Sequence, residues 1–260
     1  MPSKSSIESV PHHRPRKPRP IEVLHEDDDV IVVNKPPGMW PEHGIEDTPG
    51  VLEQLQDMAA GSSLRPVYRL DREISGLMLW AKSDDARRRI ETALLEQRLT
   101  VTYLAIVRAR VDDERGLIDL PLRSSREGCG PVRVDDQSGT AARTEWHLRD
   151  AFVGFALLEC IPRTMIQSQI RAHLQAAHMP LAVDPAYGGA ANLMLSSFKV
   201  GYRRSRRRPE RPLIQRPTLH AWSLCLQQSV GAPTLELQAP APKDMRATLH
   251  QLDRFGRLPK

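Results

Sequence analysis

The sequence predicts an α+β fold, because strand-like and helix-like segments are mixed along its 260 residues without a regular β-α-β repeat. Three observations support this prediction. Short β-branched or apolar runs that end at turn residues indicate strands, and amphipathic segments behind capping residues indicate helices. The length suits one large domain or two small ones, with enough chain for a sizeable core.

The first half of the chain predicts two strands and two helices. Val30–Val33 is a β-branched run that ends at the rigid turn Asn34–Gly38, which is typical of a strand. Thr48-Pro49 is expected to open a helix with Val51, Leu52, Leu55 and Met58 on its apolar side. Leu77–Trp80 indicates a buried strand, and Ser83, followed by two acids, indicates the start of a second helix.

The rest of the chain, from residue 101 onward, predicts three strands and two helices. Val101–Arg110 and Val153–Cys160 are apolar strand candidates, and Thr234–Gln238 alternates apolar and polar residues as a half-exposed strand does. Helical spacing puts two further sets of apolar residues on single faces: Ile170, Leu174 and Ala177, and then Met245, Leu249 and Leu252.

Positive charge is concentrated in two segments. Residues 1–20 combine prolines with a net charge of +4, which predicts a disordered basic arm followed by one domain over residues 21–260. Residues 199–216 carry a net charge of +7 and form an Arg-rich insertion, while the rest of the chain is mildly acidic. This pattern favours a polyanionic partner such as nucleic acid, although solvated basic stretches would have the same composition.

Several classes of protein lose support from the sequence. It has no G-x-G-x-x-G, G-x-x-x-x-G-K-[ST], H-E-x-x-H or G-x-S-x-G motif, so we expect no nucleotide cofactor and no zinc or serine hydrolase site. Cys129, Cys160 and Cys225 are odd in number and widely spaced, and we expect them to be reduced. No apolar run approaches the roughly 18 residues of a membrane helix, and we expect a cytoplasmic protein.

One segment concentrates ionisable side chains just ahead of an apolar strand. Its pattern R-L-D-R-x-x-S-G-L, from Arg69 to Leu77, resembles the catalytic motif of the RluA-like RNA pseudouridine synthases. Further matches follow in the family's order over about residues 21–253. They are the N-K-P-x-G turn at Asn34–Gly38, the strand around Tyr103, Gln169–Leu174 (Q-I-R-x-H-L), Asp184–Gly188 (D-P-x-Y-G), Leu219–Ala221 (L-H-A) and Ala239–Asp244 (A-P-x-P-x-D).

The resemblance implies both an architecture and a reaction. The implied architecture is a mixed, largely antiparallel bent sheet with flanking helices and a central basic cleft. The implied reaction converts a uridine in RNA to pseudouridine by breaking the bond between ribose and the base nitrogen, turning the base and rejoining it through its fifth ring carbon. By resemblance, neither a metal ion nor an organic cofactor takes part, and the enzyme is an isomerase.

Three residues form the catalytic set that the resemblance implies. Asp71 is the essential carboxylate, which can attack the ribose or the uracil ring, or assist departure of the base. Arg171 is its expected partner, since a guanidinium supports a carboxylate that loses water in a closed pocket. Tyr103 is expected to stack on the uracil ring and to take part in proton transfer. Without the family pattern, Arg171 would be read as a surface cation and Tyr103 as a core aromatic.

Further cations are assigned to base flipping and RNA binding. Arg69 is placed on the same strand face as Asp71, where it would fill the space left by the flipped base; the alternative is an ion pair with Glu73. Phosphate contacts are expected from the arm and the insertion. The full RNA-binding set is Arg69, Arg72, Lys35, Arg203, Arg204, Arg206, Arg207 and Arg208.

The chain departs from the family pattern in several places. Met165–Ser168 stands where G-R-T-H is expected ahead of Gln169, Val101 replaces a common lysine, and Tyr68 replaces a common histidine. Two hypotheses therefore stand: a working RNA uridine isomerase, or a catalytically impaired RNA-binding relative. We favour the enzyme, with ribosomal RNA ahead of transfer RNA as substrate, and expect it to act as a monomer.

Overall fold

In the computed structural model, which describes residues 20–45, 48–58, 63–124, 130–203 and 208–257, one large sheet forms the frame of the protein. Its strands are β1 (Glu22–Glu26), β2 (Val30–Lys35), β3 (Arg65–Pro66), β4 (Ser75–Ala81), β5 (Leu99–Val107), β6 (Arg115–Asp119), β9 (Arg143–Phe152), β10 (Phe155–Pro162), β11 (Leu219–Gln227) and β12 (Thr234–Gln238). Two short strands, β7 (Leu122–Arg123) and β8 (Arg133–Val134), pair separately.

The strand order is β1-β2-β4-β11-β5-β10-β9-β6, with β3 beside β4 and β12 beside β11. All pairs are antiparallel except β4 with β11, where Ser75 and Gly76 lie opposite His220 and Ala221. Gly76 has φ +114, and a Cβ there would lie 2.1 Å from the Ala221 carbonyl oxygen. The glycine of the S-G-L motif is therefore required for β4 and β11 to approach each other. This close approach lies directly after the segment that contains Asp71.

In the part of the chain that the structure describes, four α-helices cover the sheet: α1 (Val51–Met58), α2 (Asp84–Leu95), α3 (Gln169–Ala176) and α4 (Lys243–Gly256). Alternate residues of β5 enter two cores, because side chains of a strand point to opposite faces. Tyr103 and Ala105 join the core that contains α1, α2 and α3, whereas Leu104 and Ile106 join the core that contains α4. The predicted α+β class with a largely antiparallel sheet is confirmed.

Most predicted elements occur with small changes of boundary. Ser83 caps α2, with its side chain accepting a hydrogen bond from the Ala86 amide as predicted. The helix predicted at Thr48-Pro49 begins only at Val51. The strand predicted to start at Val153 begins at Phe155, because Val153-Gly154 forms the turn of the β9–β10 hairpin, with Gly154 at φ +73.

Three features of the described residues bear on the predictions about disulfides, membrane helices and metal sites. Cys160 and Cys225 are free thiols, while Cys129 lies outside the described ranges. None of the helices described is long and apolar enough to cross a membrane. In the same part of the chain, no three His, Cys, Asp or Glu side chains cluster closely enough to hold a metal ion.

Candidate active site

Asp71 lies in an irregular loop between β3 and β4 rather than on a strand. The loop is tied down by its backbone: the Ile74 amide donates to the Asp71 carbonyl at 3.0 Å, and the Gly38 amide donates to the Arg72 carbonyl at 2.9 Å. The prediction that Arg69 and Asp71 share a strand face is therefore wrong. The two side chains nevertheless line the same cavity, because the loop turns both toward it.

Arg171, on α3, connects two carboxylates from distant parts of the chain. Its Nη1 donates to Asp71 Oδ2 at 2.7 Å. Its Nε and Nη2 both donate to Asp184, each at 2.7 Å, and Asp184 is completely buried. The bidentate contact fixes the plane of the guanidinium, so that Nη1 is directed at Asp71. One partly buried cation therefore faces two carboxylates, so the cluster of Asp71, Arg171 and Asp184 has one negative charge in excess.

The charge of Arg171 is well supported by its surroundings. Burial disfavours the cation, but hydrogen bonds and charge from Asp184 and then Asp71 outweigh burial and raise the pKa of Arg171. The guanidinium also lies over the Tyr187 ring, 4.5 Å from the centroid. Arg171 is thus held from three sides, and it remains a cation at any physiological pH.

Tyr103, on β5, forms a buried wall of the same cavity. Burial and, secondarily, the charge of Asp71 raise the pKa of Tyr103, so that its hydroxyl is protonated at neutral pH. Tyr68, which stands in place of the common histidine, lies in the same wall and donates its hydroxyl to the Leu77 carbonyl at 2.9 Å. Two aromatic side chains therefore line the cavity that contains the carboxylate.

The cavity encloses about 120 Å³. This is smaller than the roughly 300–1,000 Å³ of pockets for drug-sized ligands, and it suits a single planar ring. Its lining combines apolar and polar side chains: Tyr68, Arg69, Leu70, Asp71, Ile74, Tyr103, Pro162, Thr164, Met165, Ile166, Gln167, Ser168, Gln169, Ile170, Arg171 and Leu219. The three residues predicted as catalytic all lie in this lining.

The segment that departs from the family pattern contacts the predicted catalytic carboxylate. Ser168 Oγ donates to Asp71 Oδ2 at 2.7 Å, and Gln167 Nε2 donates to Asp71 Oδ1 at 3.3 Å. The sequence interpretation treated these replacements as a loss of capping and phosphate-binding groups. The structure instead gives Asp71 two neutral donors in addition to Arg171.

The two arginines beside Asp71 make contacts outside the Asp71–Arg171 pair. Arg69 Nη1 donates to Glu42 at 2.8 Å, and about half of its side chain is exposed. Its partner is thus Glu42 and not Glu73, which lies 3.6 Å from Arg72. Arg72 donates to the Gly38 carbonyl at 3.0 Å and lies over the Trp40 ring. Both cations are on the accessible side of the loop.

Lys35 corrects the predicted RNA-binding set. Its side chain is completely buried, and its Nζ donates to the carbonyls of Pro36, Met39 and Arg72 at 2.8–3.1 Å. An enclosed ammonium group with its three protons already bonded offers nothing to a phosphate. Lys35 instead ties the Asn34–Gly38 turn to the Asp71 loop.

The Arg-rich insertion is described only in part. Arg203 and Arg208 are exposed, whereas Arg204, Arg206 and Arg207 lie outside the described residues, as do residues 1–19 of the arm predicted over residues 1–20. Arg216, at the end of this segment, is buried and bonded to Asp244 in α4. Its charge therefore does not belong to an RNA-facing surface.

Four residues of the site were missed by sequence reasoning. Asp184 and Tyr187 stand in the D-P-x-Y-G motif, which was recognised without a role for either residue. Gln167 and Ser168 gave no positive signal, because their contacts depend on the path of the chain ahead of α3. A buried acid facing Arg171 could have been sought among the motif residues, since one guanidinium has more donors than Asp71 can accept.

A partly buried guanidinium–carboxylate pair that lines a cavity together with aromatic side chains is typical of an enzyme active site. Comparisons with known proteins give its family. Residues 29–176 match the family described as RNA pseudouridylate synthase. The chain is 29% identical over 249 residues to an uncharacterised RNA pseudouridine synthase of Bacillus subtilis, spanning 92% of this chain and 75% of that relative.

Two further similarities agree. The chain is 30% identical over 234 residues to ribosomal large subunit pseudouridine synthase C of Salmonella typhi, spanning 88% of this chain and 69% of the relative. It shares its fold with human RNA pseudouridylate synthase domain containing 4, with a TM-score of 0.65 at 25% identity over 92% and 95% of the two chains. The chain belongs to the RNA pseudouridylate synthase family, whose members are isomerases, and the resemblance inferred from its motifs is confirmed.

Proposed function

We propose that this chain isomerises a specific uridine in structured ribosomal RNA to pseudouridine and that Asp71 is the essential group. The observation that carries the proposal is the Asp71 carboxylate, held at 2.7 Å by Arg171 in a cavity sized for one ring. Ribosomal RNA is preferred to transfer RNA because relatives that are about 30% identical are named as synthases of the large ribosomal subunit.

The charge distribution suits cleavage of the bond between ribose and base. Arg171 donates to Asp71 and compensates for the water that the carboxylate loses in the cavity. Because Asp184 shares the same guanidinium, the pair does not cancel the negative charge of the site. A carboxylate in this setting can attack the substrate or stabilise positive charge that develops on the sugar.

Tyr103 is proposed to act as a wall for the uracil ring rather than as a general base. Its buried ring lies in the lining beside Asp71, where a flat base can stack on it. Because burial and the nearby carboxylate raise the pKa of Tyr103, the phenolate needed for proton removal is strongly disfavoured at neutral pH. The protonated hydroxyl is suited to donate a hydrogen bond.

Arg69 is proposed to replace the target base when it leaves the RNA stack. Extracting a base costs a few kcal/mol, and a planar cation that enters the gap offsets part of this cost. Arg69 lines the cavity and is half exposed, so it can reach an RNA bound at the opening. Its exposed pair with Glu42 is weak enough to exchange for RNA contacts.

The remaining RNA contacts and the organisation of the chain are also proposals. Arg72 and Arg203 are exposed or half exposed, and we assign phosphate binding to them and to the arginines at 204 and 206–208. A basic arm over residues 1–20 is proposed to assist one catalytic domain over residues 21–260. A monomer is sufficient for catalysis, since Asp71, Tyr103 and Arg171 come from one chain.

The test is to incubate the purified full chain with unmodified ribosomal and transfer RNA and to map pseudouridine at single-nucleotide resolution. We expect a product at one or a few ribosomal positions and none with Asp71→Ala. Product formed by the Asp71→Ala variant would refute the role of Asp71. RNA binding without product from the wild-type chain would instead support the impaired, RNA-binding relative.

A further inference from the structure

Ser168 occupies the N-cap position of α3 but does not cap the helix. Serine at this position normally has an extended backbone, and its side chain accepts a hydrogen bond from an amide of the first turn. Ser168 has φ 55 and ψ 16, in the left-handed region, and makes no side-chain capping bond. A left-handed backbone is unfavourable for a residue with a Cβ. Ser168 therefore combines two features that destabilise the helix start: a strained backbone and a missing capping bond.

The Ser168 hydroxyl, which does not cap α3, donates a hydrogen bond to Asp71 instead. Ser168 Oγ and Arg171 Nη1 both donate to Asp71 Oδ2 at 2.7 Å, and both bonds are partly buried. From the residues that the structure describes, Asp71 Oδ1 accepts only the long, exposed bond from Gln167 at 3.3 Å. The two oxygens of one carboxylate are therefore unequal: Oδ2 is anchored twice, and Oδ1 is left open.

The position of Ser168 is fixed by the neighbouring Gln169, which is almost completely buried. Gln169 Oε1 accepts hydrogen bonds from the Thr164 hydroxyl and the Ile166 amide. Its Nε2 donates to the Arg143 carbonyl and the Thr144 hydroxyl in β9. The lead-in to α3 is thus fastened to the sheet, and the left-handed turn at Ser168 has a rigid base.

We propose that Ser168 is a positioning residue that, together with Arg171, holds Asp71 Oδ2 and presents Oδ1 to the substrate. The terminal torsion of a carboxylate is soft, so a single donor leaves the group free to rotate. Two short bonds to one oxygen, from elements fixed by Asp184 and by Gln169, select one orientation. This inference rests on the proposed function, since it assigns a task within the same reaction.

The experiment uses two substitutions that separate strain from hydrogen bonding. Ser168→Ala removes the donor and keeps the strain, whereas Ser168→Gly removes the donor and relieves the strain. With saturating enzyme and a mapped ribosomal RNA fragment, both variants should form pseudouridine about ten- to a hundredfold more slowly in a single turnover. Their RNA dissociation constants should stay within about threefold of wild type, since the hydroxyl is bonded to Asp71 rather than directed to RNA.

Thermal unfolding supplies the control for a merely structural role. Ser168→Gly should unfold at the same temperature as wild type or higher, because glycine adopts the left-handed backbone freely. A Ser168→Gly protein that is stable and turns over at the wild-type rate overturns the inference. So does a rate loss that is matched by an equal loss of RNA affinity, since the hydroxyl would then act in docking.

Gln167→Ala tests the difference between the two oxygens. Because its bond to Oδ1 is long and exposed, this change should slow turnover clearly less than Ser168→Gly does. A larger loss with Gln167→Ala would show that Oδ1 is the anchored oxygen and would overturn the assignment.

A structural measurement separates this inference from the proposed function. Crystal structures should show one orientation of the Asp71 carboxylate in the wild-type chain and rotated or multiple orientations in Ser168→Gly. An unchanged carboxylate in Ser168→Gly contradicts the positioning role even if the wild-type chain modifies no RNA. Conversely, an active wild-type chain with a fully active Ser168→Gly leaves the function intact and removes the inference alone.

Discussion

Arg171, which is partly buried, and Arg216, which is buried, both join distant segments through carboxylates, and they differ in what those carboxylates face. Arg216 Nε and Nη2 hold Asp244 at 2.7 and 2.8 Å, fastening the start of α4 to the sheet. Arg171 holds Asp184 in the same bidentate way but has a third donor, Nη1, bonded to Asp71 in the cavity. Burial and pairing are common to both sites, so neither property marks function.

The Arg171 site differs from the Arg216 site in two ways: its negative charges outnumber its positive charge, and it borders a cavity. At Arg216 one cation meets one anion, and the remaining donor, Nη1, lies 3.4 Å from Ser75 Oγ and from the Pro217 carbonyl. At Arg171 one cation meets two anions, and the second anion opens on a cavity. A pair with balanced charges holds two segments together, whereas an excess carboxylate held in place beside a pocket is available for chemistry.

The largest expected effect comes from removing the excess carboxylate. Asp71→Asn should reduce pseudouridine formation at least about a thousandfold, since the reacting group is lost. Its unfolding temperature should stay within a few degrees of wild type, because Asp184 still neutralises Arg171. Activity assays and calorimetry on the same preparations measure both. If Asp71→Asn unfolds at a much lower temperature than wild type, Asp71 contributes to the stability of the fold, and the contrast with the Arg216 site is wrong.

The matched pair of lysine substitutions should separate the two arginines. Arg171→Lys keeps the charge but cannot reach Asp71 and both Asp184 oxygens together, and we expect about a hundredfold loss of turnover. Arg216→Lys should destabilise the fold by about 2 kcal/mol and leave turnover per folded molecule within about threefold. Denaturant unfolding and single-turnover assays distinguish these results. Equal losses of turnover in both variants would contradict the division into a catalytic and a structural site.

The next effect concerns Arg69, whose ion pair is exposed. Arg69→Ala should lower turnover of a structured RNA about tenfold and turnover of an unstructured oligonucleotide with the same sequence less, because only the structured RNA has a stacked base to extract. Glu42→Gln is the control and should change either rate less than threefold. Equal defects on both RNAs would remove the base-flipping role and leave Arg69 as a general RNA contact.

The smallest effect on turnover is expected at Lys35, a buried cation that has three carbonyl partners and, within the described ranges, no bonded carboxylate. Burial lowers the pKa of Lys35 to about 7. A lysine in the unfolded chain has a pKa near 10.4. The unfolded chain therefore binds more protons than the folded chain between about pH 7 and 10, and the free energy of unfolding increases with pH in this range.

Relative to Lys35→Met, the wild-type free energy of unfolding should therefore increase from pH 7 to 9 by up to about 1.4 kcal/mol per pH unit. Denaturant unfolding across this range measures the difference in slope, which cancels contributions of other groups that titrate in both proteins. Parallel curves would mean that the ammonium group keeps its ordinary pKa despite its burial.

Local patterns predicted much of the fold. Ser83, with the acids behind it, marked the start of α2, and the β-branched run at Val30 marked β2, because capping and burial on both faces leave direct signatures in composition. The strands Arg115–Asp119 and Arg143–Phe152 were not predicted. In Arg143–Phe152 the alternating Thr144, Trp146 and Leu148 gave a usable signal, but the intervening charges obscured it.

The site was predicted in outline through ordered motifs, and its details were not. The motif resemblance put forward Asp71, Tyr103 and Arg171, and all three line one cavity. Lys35 was misassigned to RNA binding, because a lysine in a polar turn gives no sign of being enclosed. Ser168 was interpreted only as the loss of a capping or phosphate-binding group. The direction of its hydroxyl depends on a left-handed backbone that serine seldom adopts, and the sequence does not show it.

The sequence by itself determined the fold class, the family and the chemical identity of the acid, the cation and the ring, since these follow from residue type and order along the chain. Tertiary structure alone decided which carboxylates share Arg171, which oxygen of Asp71 is anchored and which cations are enclosed. The physical reason is distance: a hydrogen bond requires placement within a few tenths of an ångström, and residues about 100 positions apart reach that placement only through the packed sheet between them.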